Sequence, residues 1–278
     1  MSAWLTSACS RHGSRYARPA QLKPDTLGSS VSTELANAGF VLVQSVVDDQ
    51  KRQDLLRSID SELTAGSALH RKGNPFASRG LLWKVPKLTA LLESCGLTAI
   101  ASQLLGTPAF PIDATYFDKH ARANWTVPGH QDRILPVDDG SPRKDRIRDG
   151  IAYAEPDAHT LAQLVALRLH FDRTDADTGA LGVVPASHLG GILTTAQILD
   201  TPIGRYIQCP AAPGDVLAMR PLLLHRSSPS RGEGQRRVLH VVYAAGDPDD
   251  GIRWRRSAQQ GVAADGLVGR SAPSGARS

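Results

Sequence analysis

Cysteine is scarce in this chain, with three in 278 residues (Cys9, Cys95 and Cys209). Their wide spacing forms neither a metal cluster nor a disulfide framework, which points to a reducing, cytoplasmic setting. Aromatic residues make up only 5%, too few for the stacking platforms on which nucleic-acid bases are held. One charge-free stretch, Ser94 to Ile112, is 19 residues and is broken by Gly96, Gln103, Gly106, Pro108 and Pro111, so it does not make a membrane span. No P-loop, dinucleotide-type glycine motif or internal repeat is found. Acidic residues are missing from the first 24 positions, where Arg11, Arg15, Arg18 and Lys23 stand. This stretch shares its Arg- and Ser-rich composition with organelle transit peptides, but lacks the apolar core of a secretory signal.

What is present is a body that folds. Apolar residues make up 41% and charged residues 21%, ordinary globular values. The net charge of +5 comes from the ends, since residues 252–278 add five arginines against Asp265 alone. Without both ends, 23 basic residues face 26 acidic ones, a net −3. A phosphate-tracking groove needs the opposite balance, so neither a nucleic-acid nor a membrane partner is expected. The domain reading is a flexible N-terminal segment over 1–30, one domain over 31–250 and a flexible tail over 251–278.

Local patterning divides the body in two. Asp48 and Asp49 precede Leu55, Leu56, Ile59 and Leu63, the start signal and apolar stripe of an amphipathic helix. A second helical region runs from about Lys87 to Leu105 and breaks near Gly96. Gly39–Val43 reads as a strand. From Phe110 onward short β-prone runs alternate with Gly, Pro and Asp turns: 114–119, 125–137, 164–171, 181–185, 205–209, 215–219 and 237–245. Many short strands after helical support predict a mainly β fold with flanking helices, a sandwich or jelly roll. The charged, Gly- and Pro-rich stretch 138–156 is too long for a turn, and insertions of that kind cover a site or move.

Most of the nine histidines need no special role, because a lone His in a β protein is more often a hydrogen-bonded structural residue than a ligand. A constellation changes that. In His130-Gln131-Asp132 two ligand-type side chains stand at i and i+2, on one side of an extended strand. His225 follows 95 residues later, directly after the apolar run Leu222–Leu224. Two imidazoles and one carboxylate on one face of a metal form the triad suited to non-haem Fe(II), with open positions opposite. His170-Phe171-Asp172 has the same form, and spacing alone does not reject it. Arg236 lies 11 residues after His225 across a polar turn. Two consecutive antiparallel strands would bring its guanidinium back beside His225, where it could grip a dicarboxylate. Arg237 competes for that role, since a one-residue register slip exchanges them.

The sequence resembles the phytanoyl-CoA dioxygenase family of Fe(II)- and 2-oxoglutarate-dependent oxygenases, in particular its bacterial branch. The similar blocks are Tyr116-Phe117-Asp118-Lys119 through Asn124-Trp125 to Val127-Pro128-Gly129-His130-Gln131-Asp132, and Leu167-Arg168-Leu169-His170-Phe171-Asp172. Next come Thr178-Gly179-Ala180-Leu181 to Val184-Pro185-Ala186-Ser187-His188, then Gly214-Asp215-Val216-Leu217 to Arg220-Pro221-Leu222-Leu223-Leu224-His225. The last is Arg236-Arg237-Val238-Leu239-His240. The resemblance covers about Gly39 to Ala245.

The resemblance implies a double-stranded β-helix, the cupin-like jelly roll, with helices on one sheet. It implies that His130, Asp132 and His225 bind iron and that Arg236 holds the distal carboxylate of 2-oxoglutarate, with Ser227 close by. Lys119 and Trp125 match family positions without an assigned contact. Gly179 and Gly214 read as turn residues and His188 as structural. The implied reaction consumes O2 and 2-oxoglutarate, releases succinate and CO2 and hydroxylates a C–H bond, with ascorbate as a supporting reductant. Halogenases of this fold lack the triad carboxylate, whereas Asp132 is present.

The expected substrate is a small molecule such as an amino acid, a lipid-like acid or a secondary metabolite. Arg133 and Arg168 could favour an anionic group on it. Many relatives carry Trp where this chain has Gly129, so a wider entrance beside the metal is expected. Two rival readings remain. One is a metal-binding jelly roll without turnover, whose signature would be a missing ligand or arginine. The other is a nucleic-acid demethylase, against which the body charge and the few aromatics argue.

Overall fold

In the computed structural model, residues 20–22, 29–63, 69–71, 74–120, 124–231 and 234–256 are described. Most of the expected N-terminal segment, Cys9 and residues 257–278 of the expected tail lie outside them.

Strands dominate from residue 110 onward, and two sheets face each other. The larger has eight strands in the order β1 (Gln21–Leu22), β2 (Phe40–Val43), β13 (Val216–Met219), β10 (Val165–His170), β15 (Arg236–Ala244), β5 (Phe110–Lys119), β4 (Asn74–Ser78) and β3 (Leu69–Arg71). The smaller has four, in the order β12 (Ile207–Cys209), β11 (Leu181–Val183), β14 (His225–Ser227) and β6 (Val127–His130). A third sheet, β7 (Leu135–Pro136), β9 (Ile151–Ala154) and β8 (Arg146–Arg148), is built by the charged insertion. That stretch is therefore ordered, and it walls the cavity described below. Within the described residues this is the expected jelly roll with flanking helices.

Period-two patterning sorts the large sheet's side chains into two cores. On β10 the residues Val165, Leu167 and Leu169, and on β15 Leu239, Val241 and Tyr243, face the helices. There they meet Leu55 and Ile59 of the helix Asp49–Glu62, and Leu88, Leu92, Leu97 and Ile100 of the helices Leu88–Ser94 and Leu97–Leu105. Each such aliphatic side chain, fully buried, contributes roughly 1.5–3 kcal/mol. The alternate residues, Ala166, Leu217, Met219, Val242 and Ala244, pack between the sheets. On the same inward face stand Arg168, His170, Arg236 and His240, all buried. The larger sheet is thus apolar toward the helices and charged toward the interior of the roll.

Helix boundaries follow the expected signals. Asp48 caps Asp49–Glu62 by accepting from the Lys51 N–H at 2.9 Å. Gly96, in the left-handed region at φ 77°, separates the two later helices. No single helix among the described residues is long and apolar enough to cross a membrane.

Structure is also described on the far side of both expected boundaries. β1 pairs in parallel with β2 inside the segment expected to be flexible, and the helix Ser29–Ala38 buries Val31 and Leu35. At the other end Ile252 and Trp254 are buried, and Trp254 bridges Val137. Two apolar side chains close to the arginine-rich end suffice to anchor residues 251–256.

Gly214 shows where the backbone permits no side chain. Its φ is +86°, and a Cβ there would lie 2.2 Å from the Val47 carbonyl oxygen. Gly214→Ala is expected to cost about 2 kcal/mol or more in urea unfolding. Gly204→Ala, where a Cβ would meet nothing within 4 Å, should stay within about 0.5 kcal/mol of the parent.

Candidate active site

The two sequence-distant histidines meet through strand register. β6 and β14 are antiparallel neighbours with His130 directly opposite His225, and the rings stand 4.1 Å apart between centroids. Each ring is oriented by a backbone carbonyl two residues upstream. His130 Nδ1 lies 2.9 Å from Pro128 O and His225 Nδ1 lies 2.8 Å from Leu223 O. A carbonyl only accepts, so each Nδ1 carries the proton and each Nε2 keeps its lone pair.

Asp132 comes to both. Its Oδ1 lies 3.6 Å from His130 Nε2 and its Oδ2 lies 3.6 Å from His225 Nε2. The ligand atoms of all three residues lie within 4.8 Å of one another. The segment between the ligands is pinned by its own middle residue. Buried Gln131 donates to Gly191 O and Leu222 O and accepts from the Leu193 N–H, while the Asp132 N–H donates to Pro221 O.

Electrostatics keep this set in its ligating form. Burial pushes the His225 imidazole down to about 3, helped by His130 and opposed by Asp132. Burial of Asp132 works toward protonation, but His225, His240, His130 and Arg168 outweigh it and hold the carboxyl well below the usual range. Two imidazoles presenting Nε2 and an ionised carboxylate are the donor set that a divalent iron takes.

One member of this cluster was not foreseen. His240 Nε2 lies 3.4 Å from Asp132 Oδ2, and His240 Nδ1 lies 3.2 Å from Arg168 Nη1. A guanidinium only donates, so Nδ1 accepts and the ring proton sits on Nε2, directed at Asp132. His240 thereby orients the carboxylate from behind. The signal was in the sequence: Arg236 and His240, four apart on one strand, share a face, and Arg168 stands opposite His240 in the β10–β15 register.

The competing motif comes apart in three dimensions. Asp172 accepts from Arg237 Nε at 2.8 Å, from its Nη2 at 2.7 Å and from its backbone N–H at 2.8 Å. That bidentate pair consumes Asp172 and Arg237 together. His170 is buried with its Nδ1 3.3 Å from Thr174 Oγ1, and burial holds its pKa well below the usual range.

Arg236 stays free for the interior, but the expected hairpin geometry is wrong. β14 and β15 are not paired; they lie in opposite sheets. Arg236 instead stands beside Lys119 in the β15–β5 register and reaches the site from the facing sheet. A roll sends successive strands to alternate sheets, and the polar turn between them spans the gap. Arg236 Nη1 donates to Gly179 O at 2.6 Å, and its buried Nε has no hydrogen-bond partner among the described residues. Lys119 Nζ donates to Ser227 Oγ and to Ser228 O, both at 2.9 Å, and lies 5.0 Å from the centre of the Trp125 ring. Burial, with Arg236 and Arg168 nearby, pushes the Lys119 ammonium down to about 6. Lys119, Ser227 and Arg236 thus gather at one end of the interior.

These groups surround a cavity of about 510 Å³ between the sheets. His130, Asp132, His225, Arg168, His240, Ser227 and Arg236 line one part, and Asp113, Arg79, Tyr153 and Leu135 another. Gly129 does not open it. A Cβ there would lie 2.6 Å from Tyr206 Oη and 3.3 Å from Ile198 Cγ2, so the space belongs to packed side chains. The expected widening is therefore replaced by filling from another segment.

A jelly roll with two imidazoles and one carboxylate converging inside it defines the class of mononuclear non-haem iron oxygenases. The chain belongs to the phytanoyl-CoA dioxygenase (PhyH) family, whose model matches residues 35–238, and is an Fe(II)/2-oxoglutarate-dependent oxygenase. No curated protein sequence matches it.

Solved structures share its fold. The α-ketoglutarate-dependent carbocyclase SnoK from nogalamycin biosynthesis is similar with a TM-score of 0.65 and 16% identity, over 87% of this chain and 91% of that one. EctD from S. alaskensis gives 0.63 and 14%, over 86% and 88%. The epimerase SnoN in complex with Fe3+, α-ketoglutarate and nogalamycin RO gives 0.60 and 15%, over 90% and 93%.

Tryptophan at position 129 would have to displace Tyr206, whose ring also carries the Arg226 guanidinium at 4.4 Å. Gly129→Trp is expected to lower the melting temperature, and adding Tyr206→Ala should recover part of the loss. Simple additivity of the two substitutions would show that they do not share that space.

Proposed function

We propose that the protein hydroxylates an unactivated C–H bond of a small molecule, with His130, Asp132 and His225 as the iron ligands and Arg236, Lys119 and Ser227 as the 2-oxoglutarate site. The observation that carries this reading is the pairing of a metal-ready triad with the buried Arg236 guanidinium in the same cavity, the Lys119 amine standing beside it. Iron supplies the activation of O2: one oxygen atom enters the substrate as hydroxyl and the other enters succinate, as 2-oxoglutarate loses CO2.

The protein's own part is positioning. His225 and His130 offer Nε2 because their carbonyl partners fix the tautomer, and His240 steadies Asp132. Arg236 presents an unpartnered guanidinium N–H, and Lys119 with the Ser227 hydroxyl stands beside it. A carboxylate seated there would satisfy both cations and restore the Lys119 proton. The apolar lining of Phe117, Val127, Leu181 and Val242 keeps water from the reacting carbon.

A binding module without turnover would lack a ligand or the arginine, and neither is lacking. With Asp132 in the triad, hydroxylation is favoured over halogenation. EctD was solved with 2-oxoglutarate and 5-hydroxyectoine and SnoN with a nogalamycin compound, which supports a small-molecule substrate and a place in specialised metabolism. Ascorbate would maintain ferrous iron during uncoupled turnover.

Asp132→Ala is expected to abolish succinate formation from 2-oxoglutarate under air with Fe(II) and ascorbate, while the fold persists by circular dichroism. Undiminished succinate in that variant would refute the ligand assignment.

The low Lys119 pKa gives a second expectation. Above about pH 6 the amine is neutral in the free site, and binding a carboxylate favours its charged form. Binding therefore takes up a proton, and 2-oxoglutarate affinity should fall as pH rises from 6 to 8, by up to about tenfold per unit. Calorimetry in buffers of different ionisation heat reads this uptake. Lys119→Met should flatten the slope, and Arg236→Ala should weaken binding roughly ten- to hundred-fold, the equivalent of charge-assisted bonds worth about 1.5–3 kcal/mol.

A further inference from the structure

The inward face of the β5–β15 ladder can be read as a ruler through the cavity. Lys119 pairs with Arg236, Phe117 with Val238, Thr115 with His240 and Asp113 with Val242. His240 marks the level of the triad, since it touches Asp132. At roughly 3.3 Å per residue, Lys119 lies about 13 Å to one side of that level and Asp113 about 7 Å to the other. A 2-oxoglutarate anchored at Arg236 and Lys119 therefore leaves the Asp113 end to another molecule.

Asp113 is poorly served by the protein. Its Oδ1 is buried and has no hydrogen-bond partner among the described residues, although Asp113 lines the cavity. An unsatisfied buried acceptor is costly, and burial drives this carboxyl up to about 7 even with the Ala114 N–H and Arg79 working against the shift. Arg79 lines the same end and has no hydrogen bond or ion pair among the described residues. Tyr153 of β9 and Leu135 of β7 face it from the third sheet, and Arg148 stands at the rim. Arg133, by contrast, is held by Glu155 at 3.4 Å.

We propose that Asp113 is a substrate-binding residue that accepts a hydrogen bond from a substrate hydroxyl, while Arg79 takes a carboxylate of the same molecule, so that the substrate is a hydroxylated carboxylic acid. The inference rests on the oxygenase reading above, which assigns the opposite end of the cavity to 2-oxoglutarate. Two guanidinium groups at this end disfavour a protonated amine, and a hydroxyl supplies the missing donor without bringing in positive charge. The apolar residues between Asp113 and the metal level, Leu135 and Val242, suit the carbon skeleton of such an acid.

Binding is measured by calorimetry in nitrogen-saturated buffer with Fe(II) and 2-oxoglutarate present. The probes are quinate and gluconate, with cyclohexanecarboxylate and hexanoate as hydroxyl-free counterparts and 6-aminohexanoate as the amine. At least one hydroxy acid should bind, and at least tenfold more tightly than its hydroxyl-free partner and than the amine. Asp113→Leu should remove that preference. Because a buried site tolerates leucine poorly, Arg79→Met at the half-buried wall serves as a second variant and should weaken the same acid at least tenfold.

Failure of both hydroxy acids to bind, equal binding of the hydroxyl-free acids, tighter binding of the amine, or unchanged affinity in either folded variant would overturn the proposal. Succinate release by the unaltered protein under air is followed separately. Its absence would sink the oxygenase reading, whereas calorimetry reports on Asp113 regardless.

Discussion

The site depends on keeping one carboxylate ionised inside the protein. Asp132 is partly buried, and such a charge is expensive unless opposite charge or hydrogen-bond donors surround it. Here His130, His225, His240 and Arg168 do so from two facing sheets. Burial pushes the His225 and His240 imidazoles down, to about 3 and about 4, so those two rings act on Asp132 as oriented dipoles beside the Arg168 charge rather than as salt bridges. This arrangement leaves two nitrogen lone pairs and a carboxylate aimed at one point, a configuration that a divalent cation stabilises further.

The facing sheets give each wall its own task. The small sheet carries His130 and His225, whose mutual distance is set by the β6–β14 register and the bulge beyond it. The large sheet carries the charges that address ligands, spaced by the pleat of β5 and β15. Because its outward face is fastened to helices through Leu167, Leu169, Leu239 and Val241, those charges sit on a rigid support. Gly179 links the walls: its carbonyl holds Arg236, and a Cβ there would strike the Ser228 carbonyl oxygen at 2.3 Å.

Much of this was legible in the chain. The capped helix after Asp48, the break at Gly96 and the alternation of Leu167 and Leu169 with Arg168 and His170 follow from local periodicity and stereochemistry. His130, Asp132 and His225 stood out by residue type and by the resemblance. Less visible was His240, whose meaning depends on Arg168 across a strand pair. The anchoring of residues 251–256 was not visible, because Ile252 and Trp254 are too few to register as an apolar segment, yet they are buried, with Trp254 bridging Val137. Gly129 was read as an open door because the sequence does not show Tyr206 arriving from 77 residues away.

What the sequence determined by itself was chemistry and local form: which side chains are able to ligate, which runs become strands, and which residues on a strand share a face. Only the tertiary structure decided between equal candidates. His170-Phe171-Asp172 and His130-Gln131-Asp132 are alike as text, and Arg236 and Arg237 are adjacent. The difference is that Asp172 and Arg237 meet outside the cavity and neutralise each other, while Asp132 and Arg236 point into it from opposite sheets. Pairing between residues dozens of positions apart is set by sheet register and packing, and a linear pattern carries no direct record of either.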